Sequence, residues 1–219
     1  MLPEKTLDIQ KVKQLVIAGW TGRDINALEA HIRELEAIGV RRPKSTPIFY
    51  RVSASLLTNA DSIEVVGEHS SGEVEVVVFA LDDGAWVGVG SDHTDRKLET
   101  TSVSLSKQVC AKPVGPFLWR LDDVIAHWDR LLLRSYVTIA GRSRIYQEGP
   151  VATMRLPVEL IRLHTGKSVL APGSAMFCGT LAISGTVSAG ASFAMELEDP
   201  VLGRKLTHRY SINTLPDEG

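Results

Sequence analysis

The chain is short of several things, and each shortage excludes a class of protein. Cysteine occurs twice in 219 residues, at Cys110 and Cys178. That pair forms neither a disulfide framework nor a zinc-ligand spacing, and it fits a reducing, cytoplasmic setting. Excess charge is missing too: 24 basic against 26 acidic residues give a formal −2, with the signs mixed along the chain. No basic nucleic-acid surface follows from that balance. No apolar run nears the ~20 residues of a membrane span, and the polar start MLPEKTLDIQ has no signal-peptide pattern. Neither nucleic acid nor a membrane is expected as a partner. Internal repeats and low-complexity tracts are absent as well.

What is present is a core-forming composition, 44% hydrophobic, in a length that suits one large domain. No break in composition marks a second one. Residues 1–219 are therefore expected as a single domain, with a strand, helix and loop in 1–60 and a β-rich core in 61–219. The pattern predicts a strand ending at Gly19 and a helix over 24–38, whose Leu28, Ile32, Leu35 and Ile38 follow helical spacing. It predicts a strand over 61–66, a short helix over 121–128 and a hairpin pairing 130–139 with 144–148. Pro157 opens a helix that Gly166 ends. The last third is Gly-rich and strand-like, with a turn at Gly179–Thr180 and strands near 185–187, 193–197 and 206–212. Many strands and few helices predict a β-rich α+β fold with a rolled mixed sheet.

The chemistry concentrates in GEVEVVVFALDDGAWVGVGSDHTDRKLETTSVSLSK, residues 72–107. Alternation along a strand places Glu73 and Glu75 on the face that continues through Val77 and Phe79. Asp83–Gly84 between apolar runs predicts a two-residue hairpin turn. Pairing outward from that turn sets Asp82 against Ala85 and Asp92 against Glu75. Gly88 and Gly90 predict a weak second strand open to a bulge. Three carboxylates that converge repel one another, and a hard divalent cation (Mg²⁺, Mn²⁺ or Ca²⁺) would keep all three ionised. Three solvated acids at a strand end share this spacing, so the pattern alone leaves both readings open.

On the 24–38 helix, His31 and Glu34 stand three apart and are neighbours on one strip. A carboxylate beside an imidazole raises its basicity and fixes its tautomer; a half-buried pair without chemistry has the same spacing. His93, next to Asp92, reads as a nitrogen ligand, a substrate contact, or a side chain turned away on a regular strand. Cys178 has no base placed near it by the sequence.

Taken in order, these pieces resemble the fumarylacetoacetate hydrolase family. The series begins with the strand, the glycine and the helix bearing His31-Ile32-Arg33-Glu34. Phe49-Tyr50-Arg51-Val52 then stands where the family has Phe-x-Lys-Pro, followed by Glu73-Val74-Glu75 and by Ser91-Asp92-His93-Thr94-Asp95-Arg96. Next come Lys107 ahead of Gly115-Pro116, Gln147-Glu148-Gly149, Pro172-Gly173-Ser174, and the stretch from Gly179-Thr180 to Gly185. The likeness spans residues 11–212, and its wording is that of a divergent bacterial branch, DUF2848-like.

The resemblance implies a rolled mixed-sheet fold, a homodimer and a divalent metal held by Glu73, Glu75 and Asp92. It makes His31 and Glu34 a water-activating dyad. Lys107 and Arg96 would stabilise substrate charge, and Thr180 with Gly179 would hold a substrate carboxylate. Departures fall at Arg51 in place of lysine, Ser91 in place of asparagine, Leu181 in place of proline, and Glu99 where glutamine is frequent. They line the expected pocket, so Arg51 and His93 join the candidate contacts to a small anionic carboxylic acid. The activity implied is metal-dependent hydrolysis of a carbon–carbon bond in an acylpyruvate-like acid. Decarboxylation, isomerisation or sugar-acid dehydration on the same enolate chemistry is the first alternative, and a non-catalytic binding protein the second.

Overall fold

The computed structural model describes residues 4–37 and 42–218, with the side chains of His31, Glu34, Leu35 and Ala37 outside the description. In chain order the first elements are β1 (Lys5–Thr6), β2 (Gln14–Gly19), α1 (Ile25–Ala37), β3 (Ile48–Val52), β4 (Leu57–Thr58), β5 (Ser62–Val66) and β6 (Ser70–Ser71). The central stretch follows as β7 (Val74–Leu81), β8 (Gly84–Ser91), β9 (Thr94–Asp95), α2 (Arg96–Glu99) and α3 (Val103–Gln108). Then come β10 (Lys112–Pro113), β11 (Phe117–Arg120), α4 (Leu121–Val124), β12 (Leu132–Ile139), β13 (Arg142–Pro150), α5 (Pro157–Thr165), β14 (Ser174–Thr180), β15 (Ser192–Asp199) and β16 (Arg204–Leu215). Among the described residues no helix is long and apolar enough to cross a membrane.

Two mixed sheets carry the structure. The larger runs β1-β11-β8-β7-β14-β2-β3 and the smaller β13-β12-β15-β16-β5. Parallel pairs occur at β14 with β2 and at β16 with β5; their neighbours run antiparallel. β7 reads Val-Glu-Val-Val-Val-Phe-Ala-Leu and is buried along its whole length. It can afford no polar face because both sides are covered. On one side Val74 and Val76 pack with Trp119, Leu133, Tyr146 and Phe193 between the sheets. Further along that side Val78 and Ala80 meet Leu160 and Ile161 of α5. On the other side Val77 and Phe79 pack with Leu15, Ile17, Leu118 and Phe177. α5 begins at Pro157 and ends at Gly166, whose φ of 71° places it in the left-handed cap conformation.

The β7–β8 hairpin differs from its sequence expectation in one respect. Its tip is Asp82–Asp83, and Gly84, at φ 124°, already pairs with Leu81. Glu75 therefore faces Gly90, and Asp92 falls past the end of β8, beside Glu73. A shift of two residues keeps every side chain on its own face, so the acids still converge. The ladder has no bulge at Gly88 or Gly90. Those glycines are there for close packing: a Cβ on Gly90 would lie 2.8 Å from Val77 and 2.9 Å from Phe177. The irregularity sits instead on β14, between Phe177 and Thr180. Gly179–Thr180 is thus a bulged strand end rather than a turn, and 185–187 is not a strand. The expected end of the first helix at Ile38 lies outside the described residues. α2 and α3 are not in the sequence expectation: Arg-Lys-Leu-Glu is too short to show a helical period, and Val-Ser-Leu-Ser alternates as a strand would.

Gln147 of β13 joins the two sheets. It is fully buried. Its Oε1 accepts from the Val74 N–H at 2.9 Å and the Ser135 hydroxyl at 3.0 Å. Its Nε2 donates to Thr180 Oγ1 and to the Leu181 carbonyl, both at 2.7 Å.

Gly90→Ala is expected to overpack the sheet and cost about 1–3 kcal/mol. Urea denaturation reads this as a lower midpoint at unchanged slope; a variant as stable as the parent would show that Val77 and Phe177 yield freely.

Candidate metal centre

The site forms where β7 and β8 run out. Glu73 precedes β7 by one residue and Asp92 follows β8 by one. The Asp92 N–H donates to the Glu73 carbonyl at 2.9 Å, which holds the two acids face to face beyond the ladder. Glu75, inside β7, shares Glu73's side of the strand. One carboxylate oxygen from each of Glu73, Glu75 and Asp92 lies within 4.8 Å of the others. Glu75 and Asp92 are buried and Glu73 is half-buried.

Three cations surround these acids. The Lys107 ammonium, from α3, pairs with Asp92 Oδ2 and lies 3.6 Å from Glu73 Oε2. Lys112, from β10, is fully buried, donates to the His93 carbonyl and sits 3.0 Å from Asp92 Oδ1. Arg96, at the start of α2, reaches Glu73 Oε1 at 3.0 Å and Glu99 Oε2 at 2.9 Å. The Lys112 approach is not aligned as a hydrogen bond, so Asp92 Oδ1 is a buried acceptor with no hydrogen-bond donor among the described residues.

The charges do not fall evenly on the three acids. Burial opposes ionisation of Asp92, but the Lys107 and Lys112 ammoniums outweigh it and hold its carboxyl below the usual range. Burial also opposes the charge on Lys107; Asp92 and Glu73 overcome that and push the ammonium's pKa up. Lys112 goes the other way, lowered by burial and by Lys107. Glu75 bears the cost of the cluster. Burial, then Asp92 and Glu73, raise its carboxyl well above the ordinary value, despite the Gly179 N–H that donates to its Oε2 at 2.6 Å. Further positive charge beside Glu75 would favour its ionised form. Three convergent carboxylate oxygens, from two buried acids and one half-buried one, fit a hard divalent cation.

The other sequence candidates take varied places. Arg96 is at the site, half-buried between Glu73 and Glu99. Gly179 is also there, with its N–H already given to Glu75; a Cβ on it would fall 1.8 Å from Thr21 Oγ1. The Thr180 hydroxyl donates to the Val74 carbonyl at 2.8 Å and accepts from Gln147. Arg51 turns elsewhere: its guanidinium donates to the carbonyls of Leu15, at 2.9 Å, and Val52, at 3.2 Å. The neighbouring Tyr50 faces the site instead, its ring 5.8 Å from Lys107 Nζ and its hydroxyl bonded by Trp20. His93 is fully buried, with Nδ1 3.1 Å from the Tyr210 hydroxyl. Burial, then Lys112 and Arg96, push its pKa down to about 3, so the ring is neutral. His31 and Glu34 lie on α1, but their side chains are outside the described residues. Lys112, Tyr50 and Tyr210 were missed by the sequence reading. Lys112 sits in a Pro- and Gly-rich crossing with no local pattern to mark it, and Tyr50 has no motif of its own, standing beside the arginine that takes the family lysine's place.

The model of a family described as "protein of unknown function (DUF2848)" matches residues 18–210. No curated protein matches the chain in sequence. Among solved structures, Cg1458 with inhibitor aligns at TM-score 0.68 and 19% identity, over 94% of this chain and 78% of that one. A 2-keto-3-deoxy-D-arabinonate dehydratase complexed with magnesium and 2,5-dioxopentanoate aligns at 0.65 and 17%, over 94% and 75%. Yeast ynq8, a fumarylacetoacetate hydrolase family protein, aligns at 0.66 and 16%, over 94% and 95%. At these identities the likeness establishes the fold.

Glu75→Gln should separate the two demands on this residue. A carboxyl raised in the fold stabilises below its unfolded value of about 4.5 and loses that contribution as pH rises through its folded value. Chelator-treated wild type is thus expected to lose stability relative to Glu75→Gln as pH rises above about 4.5. With Mn²⁺ at a hundred times its dissociation constant, wild type gains about 2.7 kcal/mol and the variant gains little. Thermal melts across that range check both; parallel curves would remove Glu75 from the site.

Proposed function

The chain belongs to the DUF2848 family, and from that membership and its fumarylacetoacetate hydrolase-type fold we propose a divalent-metal-dependent enzyme acting on a small 2-oxo or β-dicarbonyl carboxylic acid. The observation that carries this reading is the convergence of three carboxylates, Glu73, Glu75 and Asp92, two of them buried. Mg²⁺ is the first choice of ion, with Mn²⁺ and Ca²⁺ behind it, since the ligands are all hard oxygens and the dehydratase of like fold is complexed with magnesium. Such an ion supplies Lewis-acid polarisation of a 2-oxo carboxylate.

The chain's own residues supply the rest. Lys107, kept cationic by Asp92 and Glu73, neutralises the negative charge that develops on an enolate oxygen. Arg96 steadies Glu73; the Thr180 hydroxyl and the Gly179 N–H, expected to hold a substrate carboxylate, are instead engaged by Val74 and Glu75. In the hydrolytic version His31, oriented by Glu34, takes a proton from water. The resulting hydroxide attacks the distal carbonyl, the carbon–carbon bond breaks, and its electrons pass into the enolate. The enzyme is expected to be cytoplasmic and homodimeric, on the family resemblance.

A second reading, dehydration of a 2-keto-3-deoxy sugar acid, draws on the likeness to the arabinonate dehydratase. Decarboxylation and isomerisation need the same Lys107 and the same enolate. Products decide: two carbon fragments mean hydrolysis, CO₂ means decarboxylation, and an unchanged carbon count means isomerisation or dehydration.

His31→Ala is expected to lower hydrolysis by about 10²–10⁴-fold while leaving Mg²⁺ affinity unchanged. Lys107→Met should abolish turnover in every version. Steady-state kinetics with acylpyruvates and 2-keto-3-deoxy acids, beside metal titration, check both. Undiminished hydrolysis by His31→Ala would sink the dyad, and metal binding without turnover of any such acid would favour the binding-protein reading.

A further inference from the structure

Glu73 and Asp92 both lie outside the β7–β8 ladder, so regular strand pairing does not fix their separation. The Asp92–Glu73 backbone bond ties them, Lys107 pairs with both carboxylates, and Ser91, next to Asp92 in the chain, ties them again at the backbone. Its Oγ accepts the Glu73 N–H at 3.2 Å. It also accepts the Tyr210 hydroxyl at 2.8 Å. Tyr210 belongs to β16, in the smaller sheet, and is fully buried. With its proton given to Ser91, the Tyr210 oxygen is left to accept from His93 Nδ1 at 3.1 Å. The chain of bonds runs one way, from imidazole to phenol to serine, and each member polarises the next. The rings hold it in place: Phe193 stacks on Tyr210, and His93 stands edge-on to both. Gly72 completes the fit, since a Cβ there would lie 2.7 Å from the Tyr210 hydroxyl.

We infer that Tyr210 is a positioning residue for the carboxylate cluster: reaching across from the smaller sheet, it fixes Ser91 and through it the spacing of Glu73 and Asp92. This rests on the reading of the cluster as a divalent-metal site. The spacing of two ligands governs how well an ion is held, and a side chain that acts only through another is felt in affinity before it is felt in the fold. The molecule contains its own control. Tyr146 is equally buried, and its hydroxyl bonds Ser71 at 2.7 Å, but that pair touches neither Glu73 nor Asp92.

The test uses Mn²⁺ as the probe, with affinity read by electron paramagnetic resonance of the free ion and stability by thermal melting of chelated protein. Tyr210→Phe and Ser91→Ala are each expected to weaken Mn²⁺ binding about fivefold, the worth of one hydrogen bond. The double variant should lose no more than either single one, because the two act as a unit. Tyr146→Phe should lower the melting temperature like Tyr210→Phe and leave Mn²⁺ affinity within about twofold of wild type. Tyr210→Phe with wild-type affinity, or equal losses from Tyr146→Phe, overturns the positioning role and leaves the metal site standing. Wild-type protein that binds no Mn²⁺ sinks the metal reading and this inference with it.

Discussion

Three carboxylates held together away from water are the constraint on which the rest of the structure depends. Left alone they would repel, and two of them are buried. The fold meets this with charge: Lys107 and Lys112 grip the two oxygens of Asp92, and Arg96 grips Glu73. Three elements that follow β8 exist in these positions to deliver those cations: α2 brings Arg96, α3 brings Lys107, and the two-residue β10 brings Lys112. Among the described residues Glu75 is ion-paired with no cation and accepts only a backbone N–H, and burial with its two acid neighbours raises its carboxyl.

How much of this could be read in advance depended on how local the signal was. Alternation in Glu-Val-Glu-Val-Val-Val-Phe fixes the face of Glu73 and Glu75 whatever the partner strand does, and that part was legible. The helix from Pro157 to Gly166 was legible for a like reason, since both ends are marked by residues whose backbone preferences are strong. The hairpin register was misjudged by two residues because Asp82, Asp83 and Gly84 offer two adjacent two-residue turns. The error was harmless, as an even shift preserves faces. Lys112 was illegible: its acid partner is twenty residues away, and a lysine before proline looks like any surface turn. Arg51 and Tyr50 show the other limit. A motif alignment pointed to the arginine, while the pleat of β3 turns it away and presents the tyrosine.

The fold likeness and the site bear on function at different levels. A shared fold at 16–19% identity extends to proteins described as a dehydratase and as a fumarylacetoacetate hydrolase family member, so the fold is compatible with more than one outcome. The acids and Lys107 suit any reaction that must stabilise an enolate. What separates hydrolysis from dehydration is the group that moves the proton, and the dyad proposed for that task lies on α1. Of the departures, Ser91 adjoins Asp92 and bonds the Glu73 N–H, whereas Arg51 turns away to the Leu15 and Val52 carbonyls and Leu181 packs in the core between the sheets.

Gln147 has a consequence for how the site comes into being. Its amide has two ends of opposite kind, and both are fully engaged: the oxygen by Val74 and Ser135, the nitrogen by Thr180 and Leu181. Turned end for end, it would set donor against donor on one side and acceptor against acceptor on the other. The amide therefore behaves as a keyed connector. β13 can dock on β7 and β14 in one alignment and in no neighbouring one, and Glu75 lies one residue from Val74 on the docked strand. Assembly of the two sheets and assembly of the site are then a single event: a chain that has closed correctly has, by that fact, already placed its acids.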